Sequence, residues 1–447
     1  MDDGALTPEA FGAKGDGRTN DSAAFARLAD RINRDGGGTI MLRRTTYIVG
    51  KQQRMATVPD RFSFRPEKLL EISGCTRPVR ILGNGARLRC AAGLRYGTFD
   101  AATGQAHFHD MPYAAPGERA TPYESMILIE KCSGPVEIRD LELDGNLGEM
   151  IIGGRYGDKG WQIPASGLRL RDNSGPEFVR NLYTHHHGQD GVYLDGADMD
   201  RKSGGRFENV RAQYNGRQGV SAVGGRDYAF ADCDFSHTGK ADLFSPPGAG
   251  VDIEAHRGKQ VRRLTFDRCR FADNSGVGMV ADSGNSANVT FRDCRFLATS
   301  AWGVWPQKPY FAFERCKFVG SIVRCFSDPT GEQATRFTDC LFTDVPDDSL
   351  RQPAYLPREN GPIADLASAQ GMLFDKCRFV LRHGAVLPWS KYAIYRDCTM
   401  QQRAAKKGKP RGTYRGTTVI SGPVVLSGSR FEGDLIVNGT RVARTGI

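Results

Sequence analysis

One phrase recurs along this chain at a spacing that no ordinary globular core requires. It is an apolar residue, Phe, two polar residues, Cys, one polar residue and Phe. It reads YAFADCDF around Cys233, LTFDRCRF around Cys269 and VTFRDCRF around Cys294. It returns around Cys316, Cys340 and Cys377, with a weaker copy, AIYRDCTM, at Cys398. From Cys269 to Cys340 the copies stand 22–25 residues apart, the period of a solenoid. A second phrase, Gly-Val followed by alternating residues, falls between the copies from Gly250 to Phe318.

The pattern has a direct physical reading. In VTFRDCRF, Val289 and Phe291 alternate to one side, and so do Cys294 and Phe296. The two residues between Phe291 and Cys294 break the period of two, so the chain turns a corner there. Each coil then carries a Gly-Val strand, a corner, a strand ending in Phe, a second corner and a strand beginning at Cys. Coils stacked about 4.8 Å apart form parallel sheets with Phe, Cys and Val ladders inside. The expected fold is all-β: a single-stranded right-handed parallel β-helix with an N-terminal capping α-helix. Val, Phe and Thr at period two, with Gly and Asp at the corners, argue against a helical repeat.

A chain of 447 residues commonly splits into several domains, but a solenoid grows lengthwise, so one domain over 1–447 is expected. Residues 1–50 would form the cap and first strands, 51–400 the coils, and 401–447 the last strands. Seven of the eleven cysteines occupy one inward position of the repeat and read as small apolar residues, not as disulfides or zinc ligands. No apolar run is long enough to span a bilayer, so a soluble protein without membrane insertion is expected. The net charge of +10 favours an anionic partner. Because the positive charge is scattered and no nucleic-acid motif occurs, an acidic polysaccharide is favoured over nucleic acid.

Near the start, Asn20 or Asp21 can cap a helix from about Ser22 to Asn33, with Ala24, Phe25, Leu28 and Ile32 as its buried stripe. Gly36, Gly37 and Gly38 end it. Such a helix would cover the open end of the first coil, which would otherwise pair with another chain. The residues Phe11-Gly12-Ala13-Lys14-Gly15-Asp16-Gly17, with Asn20-Asp21, the helix and Gly36-Gly37-Gly38-Thr39, closely resemble the N-terminus of pectate-lyase-superfamily β-helix proteins. That group includes polygalacturonase-like hydrolases, rhamnogalacturonases, alginate epimerases and phage tailspikes. Leu143-Asp144-Gly145-Asn146 also resembles a phrase of that superfamily. The resemblance implies the β-helix fold and a polysaccharide-directed role, and so a secreted or periplasmic location. Met1-Asp2-Asp3 shows no signal peptide. No single family's catalytic set transfers. The Asn-x-Asp, Asp-Asp, Gly-His-Gly and Arg-x-Lys series of the polygalacturonases does not occur in order. The Asp-Pro-His of the epimerases and the vWiDH of the classical pectate lyases are absent.

Two insertions interrupt the early coils. One spans 95–124, with His107, His109 and Tyr113; the other spans 147–166, with Arg155, Tyr156, Lys159 and Trp161. Loops of this length are usually functional or disordered, and one or both are expected to wall a groove. A third excursion spans 344–370, and the basic run Arg403 to Arg415 reads as a solvated loop.

Aligning the Gly-Val strands on their first glycine (Gly191, Gly219, Gly250, Gly276, Gly303) defines an outward set. It is Tyr193 and Asp195, Ser221 and Val223, Asp252 and Glu254, Gly278 and Val280, Trp305 and Gln307. One coil earlier the strand at Gly167 offers Arg169 and Arg171, and THHHGQD places His185, His186 and His187 near the same face. A slip of one residue would invert the set, but would also bury Asp195, Asp252 and Glu254 together. For each residue singly, the plain alternative is a solvated sheet face.

Three chemistries fit this cluster. In β-elimination on a uronate, Tyr193 and His187 are the acid/base candidates, with His185 or His186 as alternatives for the imidazole. Arg169 and Arg171 would hold the carboxylate. In glycoside hydrolysis Asp195 pairs with Asp252 or Glu254; two coils put the backbones about 10 Å apart, which side chains could bring into the inverting range of about 6.5–9.5 Å. In the third, Asp195, Asp252 and Glu254 bind calcium, the one cofactor expected. Trp305 would stack on a sugar in an outer subsite. The leading expectation is a polysaccharide lyase, then a glycoside hydrolase, then a non-catalytic tailspike- or adhesin-like binding protein.

Overall fold

The computed structural model of the protein describes residues 4–107, 121–154, 163–196 and 204–442. His109 and Tyr113 of the first insertion, and Arg155, Tyr156, Lys159 and Trp161 of the second, lie outside them. The sequence reading treats the chain as one domain; the fold groups it into two compact units. One is Met1–Tyr228 with His237–Gly248, the other Ala229–Ser236 with Ala249–Ile447.

The first unit begins with the expected cap. An α-helix runs Ser22–Asp35 and buries Ala24, Phe25, Leu28, Ala29 and Ile32. Asp21 holds the N-cap position without a side-chain cap bond, and Asn20 before it accepts at Oδ1 from the Ser22 N–H at 3.1 Å and the Ser22 hydroxyl at 2.7 Å. Asp21 turns back and accepts from the N–H groups of Lys14 and Gly15, pinning the glycine-rich loop before the helix. Gly36 closes the helix in the left-handed region at φ 69°, where a side chain would be strained. At Gly37, φ 140°, a Cβ would stand 2.7 Å from the Arg77 carbonyl oxygen, so the cap and the first coil meet backbone to backbone.

Behind the cap the strands pair in parallel. One sheet of this unit contains Leu70–Ser73, Ser125–Glu130, Ser166–Arg171, Asp190–Asp195 and Gln218–Arg226. Another contains Val79–Cys90, Val136–Asp144 and Glu177–His185. Ile81, Ile138 and Val179 line up across the second sheet and are buried. Within the last two of those strands Asp140 and Asn181 take φ 58° and 53°, so one left-handed residue makes each corner.

An element that period-two reasoning did not separate from the coils is an antiparallel hairpin, Gln52–Val58 with Arg61–Pro66, joined by Phe99–Asp100. Phe62, Phe64 and Phe99 pack with ring centroids 5.6–5.8 Å apart. The guanidinium of Arg54 lies 4.0 Å from the Phe62 centroid. The two early insertions also touch each other, because Arg95–Gly97 pairs in parallel with Ile151–Gly153.

The second unit carries the repeat as expected. Phe230, Phe266, Phe291, Phe313, Phe337 and Phe374 form a ladder with centroids 4.6–5.0 Å apart and planes within 12°. Phe271, Phe296, Phe318, Phe342 and Phe379 form a second, at 4.5–5.0 Å. Between the ladders each cysteine thiol points at the carbonyl of the phenylalanine one coil back. From Cys269 to Cys398 these Sγ–O distances are 3.2–3.6 Å. All eleven cysteines are free and buried. The residue before each repeat cysteine turns the corner: Asp232, Arg268, Asp293, Arg315, Asp339, Lys376 and Asp397 have φ of 51–55°. Their charges alternate in sign from coil to coil, and Arg268 and Arg315 each clasp the preceding aspartate in two bonds of 2.7–2.8 Å.

Two segments differ from their plain readings. The excursion from Asp344 is tied down: the Asp344 carboxylate accepts from the N–H groups of Arg382, His383 and Ala385, and Asp347 binds Arg295 and Lys317. In the basic run, Lys409–Arg415 is a strand paired with Trp389–Arg396, so its second half is not a solvated loop. Among the described residues, no helix is long and apolar enough to cross a membrane.

Candidate active site

The outward residues of the first unit's Gly-Val sheet take the register that the glycine alignment predicts. Arg169 pairs with Tyr193 and Tyr193 with Ser221, while Leu168, Val192 and Val220 lie beneath in the interior. Arg171 pairs with Asp195. The alignment then slips by a bulge: Leu194 faces Ala222 and Asp195 faces Gly224, so Val223 is skipped.

Arg169 is the centre of this face. Its guanidinium carbon lies 4.5 Å from the Tyr193 ring centroid, and its Nη2 is 3.7 Å from the Asp195 carboxylate. Its Nε, buried, has no hydrogen-bond partner among the described residues. Tyr193 is 8% exposed, and burial raises its phenol pKa well beyond the ordinary value. Arg171 is occupied differently: it clasps the Glu130 carboxylate on the neighbouring strand, which makes it a structural partner and not a free anion clamp.

A residue that alternation could not single out lies under this face. Asp190 opens the strand Asp190–Asp195 and is completely buried. Its Oδ2 accepts from the Ser221 hydroxyl at 3.0 Å, and its Oδ1 has no partner among the described residues. Burial pushes its pKa up to about 6, against the opposing pull of the Arg217 and Arg169 charges. Nothing in GQDGVYLDG distinguishes this aspartate from a corner residue.

Above Arg169 an open cavity of about 560 Å³ is lined by the hairpin residues Met55, Ser63 and Phe64, by Thr121 and Glu124, and by Gln189. The expected wall over the groove is therefore built partly by the hairpin and partly by the end of the first insertion.

The three histidines are placed otherwise than expected. His187 is fully buried, with Nδ1 2.8 Å from the Tyr123 hydroxyl and Nε2 3.2 Å from the Leu143 carbonyl. Burial lowers its pKa to about 3, so it is a neutral core residue with both ring nitrogens engaged and no route to a substrate. His185 ends the strand Glu177–His185, on the other sheet, and His186 follows it, beside Glu142 and Asp144. The cause is a left-handed residue at His186, φ 53°, which interrupts the alternation inside the triplet.

The three carboxylates read as an acid pair or calcium set divide between the units. Asp195 is in the first. In the second, Asp252 lies buried on Ala249–Ile253, and Glu254 accepts a hydrogen bond from the Ser283 hydroxyl. Among the described residues, the group of His, Cys, Asp and Glu side chains close enough to share one ion is Asp144, His185 and His186. Trp305, also in the second unit, is half-buried against Trp302 and Val280. Its indole N–H donates to Gln307 and Arg324 lies 5.1 Å from its ring, so its face is partly taken.

Residues 125–318 match the family described as "Right handed beta helix region". Together with the parallel coils this defines the class: a right-handed parallel β-helix protein. Solved structures of similar fold include the mannuronan C-5 epimerase AlgE4 A-module of Azotobacter vinelandii, 15% identical, covering 98% of this chain and 100% of that one, TM-score 0.45. An exopolygalacturonase from Thermotoga maritima is 12% identical, covering 99% and 93%, TM-score 0.43. The tailspike gp49 of Acinetobacter baumannii bacteriophage Fri1, a capsular polysaccharide depolymerase, is 10% identical, covering 96% and 64%, TM-score 0.48. No curated protein matches the sequence.

Proposed function

We propose that this protein is a carbohydrate-active enzyme that cleaves an acidic polysaccharide by β-elimination on the face carrying Arg169, Tyr193 and Asp195. The observation that carries the reading is Arg169. Its guanidinium carbon lies 4.5 Å from the Tyr193 ring centroid at the edge of an open cavity, and its Nε has no hydrogen-bond partner among the described residues. A planar, permanently charged fork in that position suits a uronate carboxylate. Neutralising that carboxylate acidifies the adjacent C–H bond. A base removes that proton, a C=C bond forms, and the glycosidic C–O bond breaks, its oxygen leaving with a proton. Asp195, beside Arg169, is the base in this scheme. Tyr193, kept protonated by burial, is the acid for the leaving oxygen. The N-terminal signature, which resembles that of polysaccharide-directed β-helix proteins, and the net charge of +10 support the same substrate class.

A second reading is hydrolysis, in which Asp195, beside the Arg169 guanidinium, would be one carboxylate of the pair. Incubation with a panel of uronic-acid polysaccharides separates the readings. Ultraviolet-absorbing unsaturated ends mean elimination, and reducing ends without absorbance mean hydrolysis. Binding without either means an adhesin-like role. Under elimination, Tyr193→Phe and Arg169→Ala should each lower turnover about 100-fold or more. An activity that survives both substitutions acts elsewhere on the protein.

A further inference from the structure

Two histidines of the triplet, His185 and His186, form a second polar cluster at the other sheet of the first unit. Asp144 and His185 are register partners at the ends of Val136–Asp144 and Glu177–His185. His185 Nδ1 lies 2.7 Å from His186 Nδ1 and 3.8 Å from Asp144 Oδ1. Two ring nitrogens and one carboxylate oxygen therefore converge on one point, all within 4.8 Å of one another.

The surroundings fix which atoms face that point. His185 Nε2 is 3.1 Å from the Glu142 carboxylate, an acceptor, so that nitrogen carries the proton and Nδ1 presents a lone pair. A carboxylate behind an imidazole is the usual support of a metal-binding histidine. Asp144 divides its oxygens. Oδ2 faces Arg87 and Arg89, while Oδ1 accepts the Asn146 N–H and faces the imidazoles. Both rings are clamped by aromatic faces: His185 stacks on Tyr183 at 4.2 Å, and His186 on Tyr214 at 5.4 Å. Asp144 and His185 are buried, at 3% and 5% exposure, while His186 is half-buried and gives solvent an approach.

We propose that Asp144, His185 and His186 form a binding site for one divalent first-row transition ion of the zinc class, with Glu142 as the positioning residue behind His185. Binding inserts the ion between the two Nδ1 atoms, moves the ring proton of His186 from Nδ1 to Nε2 by exchange with solvent so that Nδ1 presents its lone pair, and leaves a coordination position open to solvent. The donor set selects the metal. Two imidazoles and one carboxylate suit zinc, cobalt, nickel or copper. Glu142 and Asp144 are matched by Arg87 and Arg89, so the site lacks the surplus of anionic oxygens that calcium needs.

The test uses the full chain, tag-free and stripped with chelator, titrated with zinc by calorimetry and with cobalt by visible absorption. Wild type should bind one ion per chain, show cobalt ligand-field bands without a thiolate charge-transfer band, and lose no bound cobalt to equimolar calcium. His186→Asn keeps a residue that tolerates the left-handed backbone and removes a ligand; it should bind at least about 10-fold more weakly. Glu142→Gln leaves the ligands in place and should weaken binding about 10- to 100-fold, which serves if His186→Asn fails to fold. The proposal is overturned if wild type shows no saturable one-to-one binding or if a folded variant binds as tightly as wild type. Displacement of cobalt by calcium, or a thiolate band, would overturn it as well.

Discussion

Replacing Asp190 by asparagine should change the protein's stability in a way that depends on pH. In the folded state the Asp190 carboxyl is buried, with Oδ1 lacking a partner among the described residues, and titrates near 6 instead of its ordinary 3.8. A group whose folded pKa is raised holds its proton more tightly when folded. Its contribution to stability is therefore present at low pH and is lost as pH rises from about 4 to about 6. At about 1.4 kcal/mol for each pH unit between the two values, the loss is about 3 kcal/mol. The side chain of the Asp190→Asn variant would carry no charge at any pH and would keep an amide within reach of the Ser221 hydroxyl. The difference in unfolding free energy, variant minus wild type, should then rise by about 3 kcal/mol between pH 3 and pH 7.5 and be flat above that. His187 acts in the opposite sense, its contribution to stability being lost as pH falls from about 6.5 towards about 3, but it is common to both proteins and cancels. Urea unfolding followed by circular dichroism, together with hydrogen exchange of the strand Asp190–Asp195, measures the difference over that range. A difference that stays constant with pH would falsify the claim that Asp190 is a buried, destabilised carboxylate.

Two further outcomes follow from the second unit. Phe291→Ala removes a fully buried ring stacked between Phe266 and Phe313 at 4.7 and 4.9 Å, and should cost about 3–5 kcal/mol in denaturant unfolding; a loss below about 1 kcal/mol would mean the ladder collapses around the gap. Because all eleven cysteines are free and buried, a thiol reagent at neutral pH should label none in the native protein and all eleven in denaturant; fast native labelling of any repeat cysteine would contradict the interior ladder.

Much of this architecture is legible in the residues because a parallel coil repeats its own environment. Phe266, Phe291 and Phe313 recur at one offset from their cysteines, so one correct corner determines every corner, and the ladders follow. The same logic places Arg169, Tyr193 and Ser221 side by side, since a shared Gly-Val start and a period of two leave one register that buries the valines. The sequence by itself therefore determined the fold, the cap and the row Arg169–Tyr193–Ser221, but not the rows beyond it: Val251 pairs with Met279 and Asp252 with Val280, two residues past the alignment on Gly276.

Tertiary structure decided what those rows mean chemically, because the decisive events are single-residue departures from the period. A left-handed His186 splits HHH into two polar-facing rings and one core ring, and three like residues in a row do not say which of them takes that conformation. A bulge at Val223 ends the alignment one residue early. Asp190 and Asp195 look alike in DGVYLD, yet one is sealed beneath Ser221 with a raised pKa and the other stands beside Arg169. Only the neighbouring coils, contributed by residues 26 to 31 positions away, supply the burial and the charges that make two identical side chains different acids.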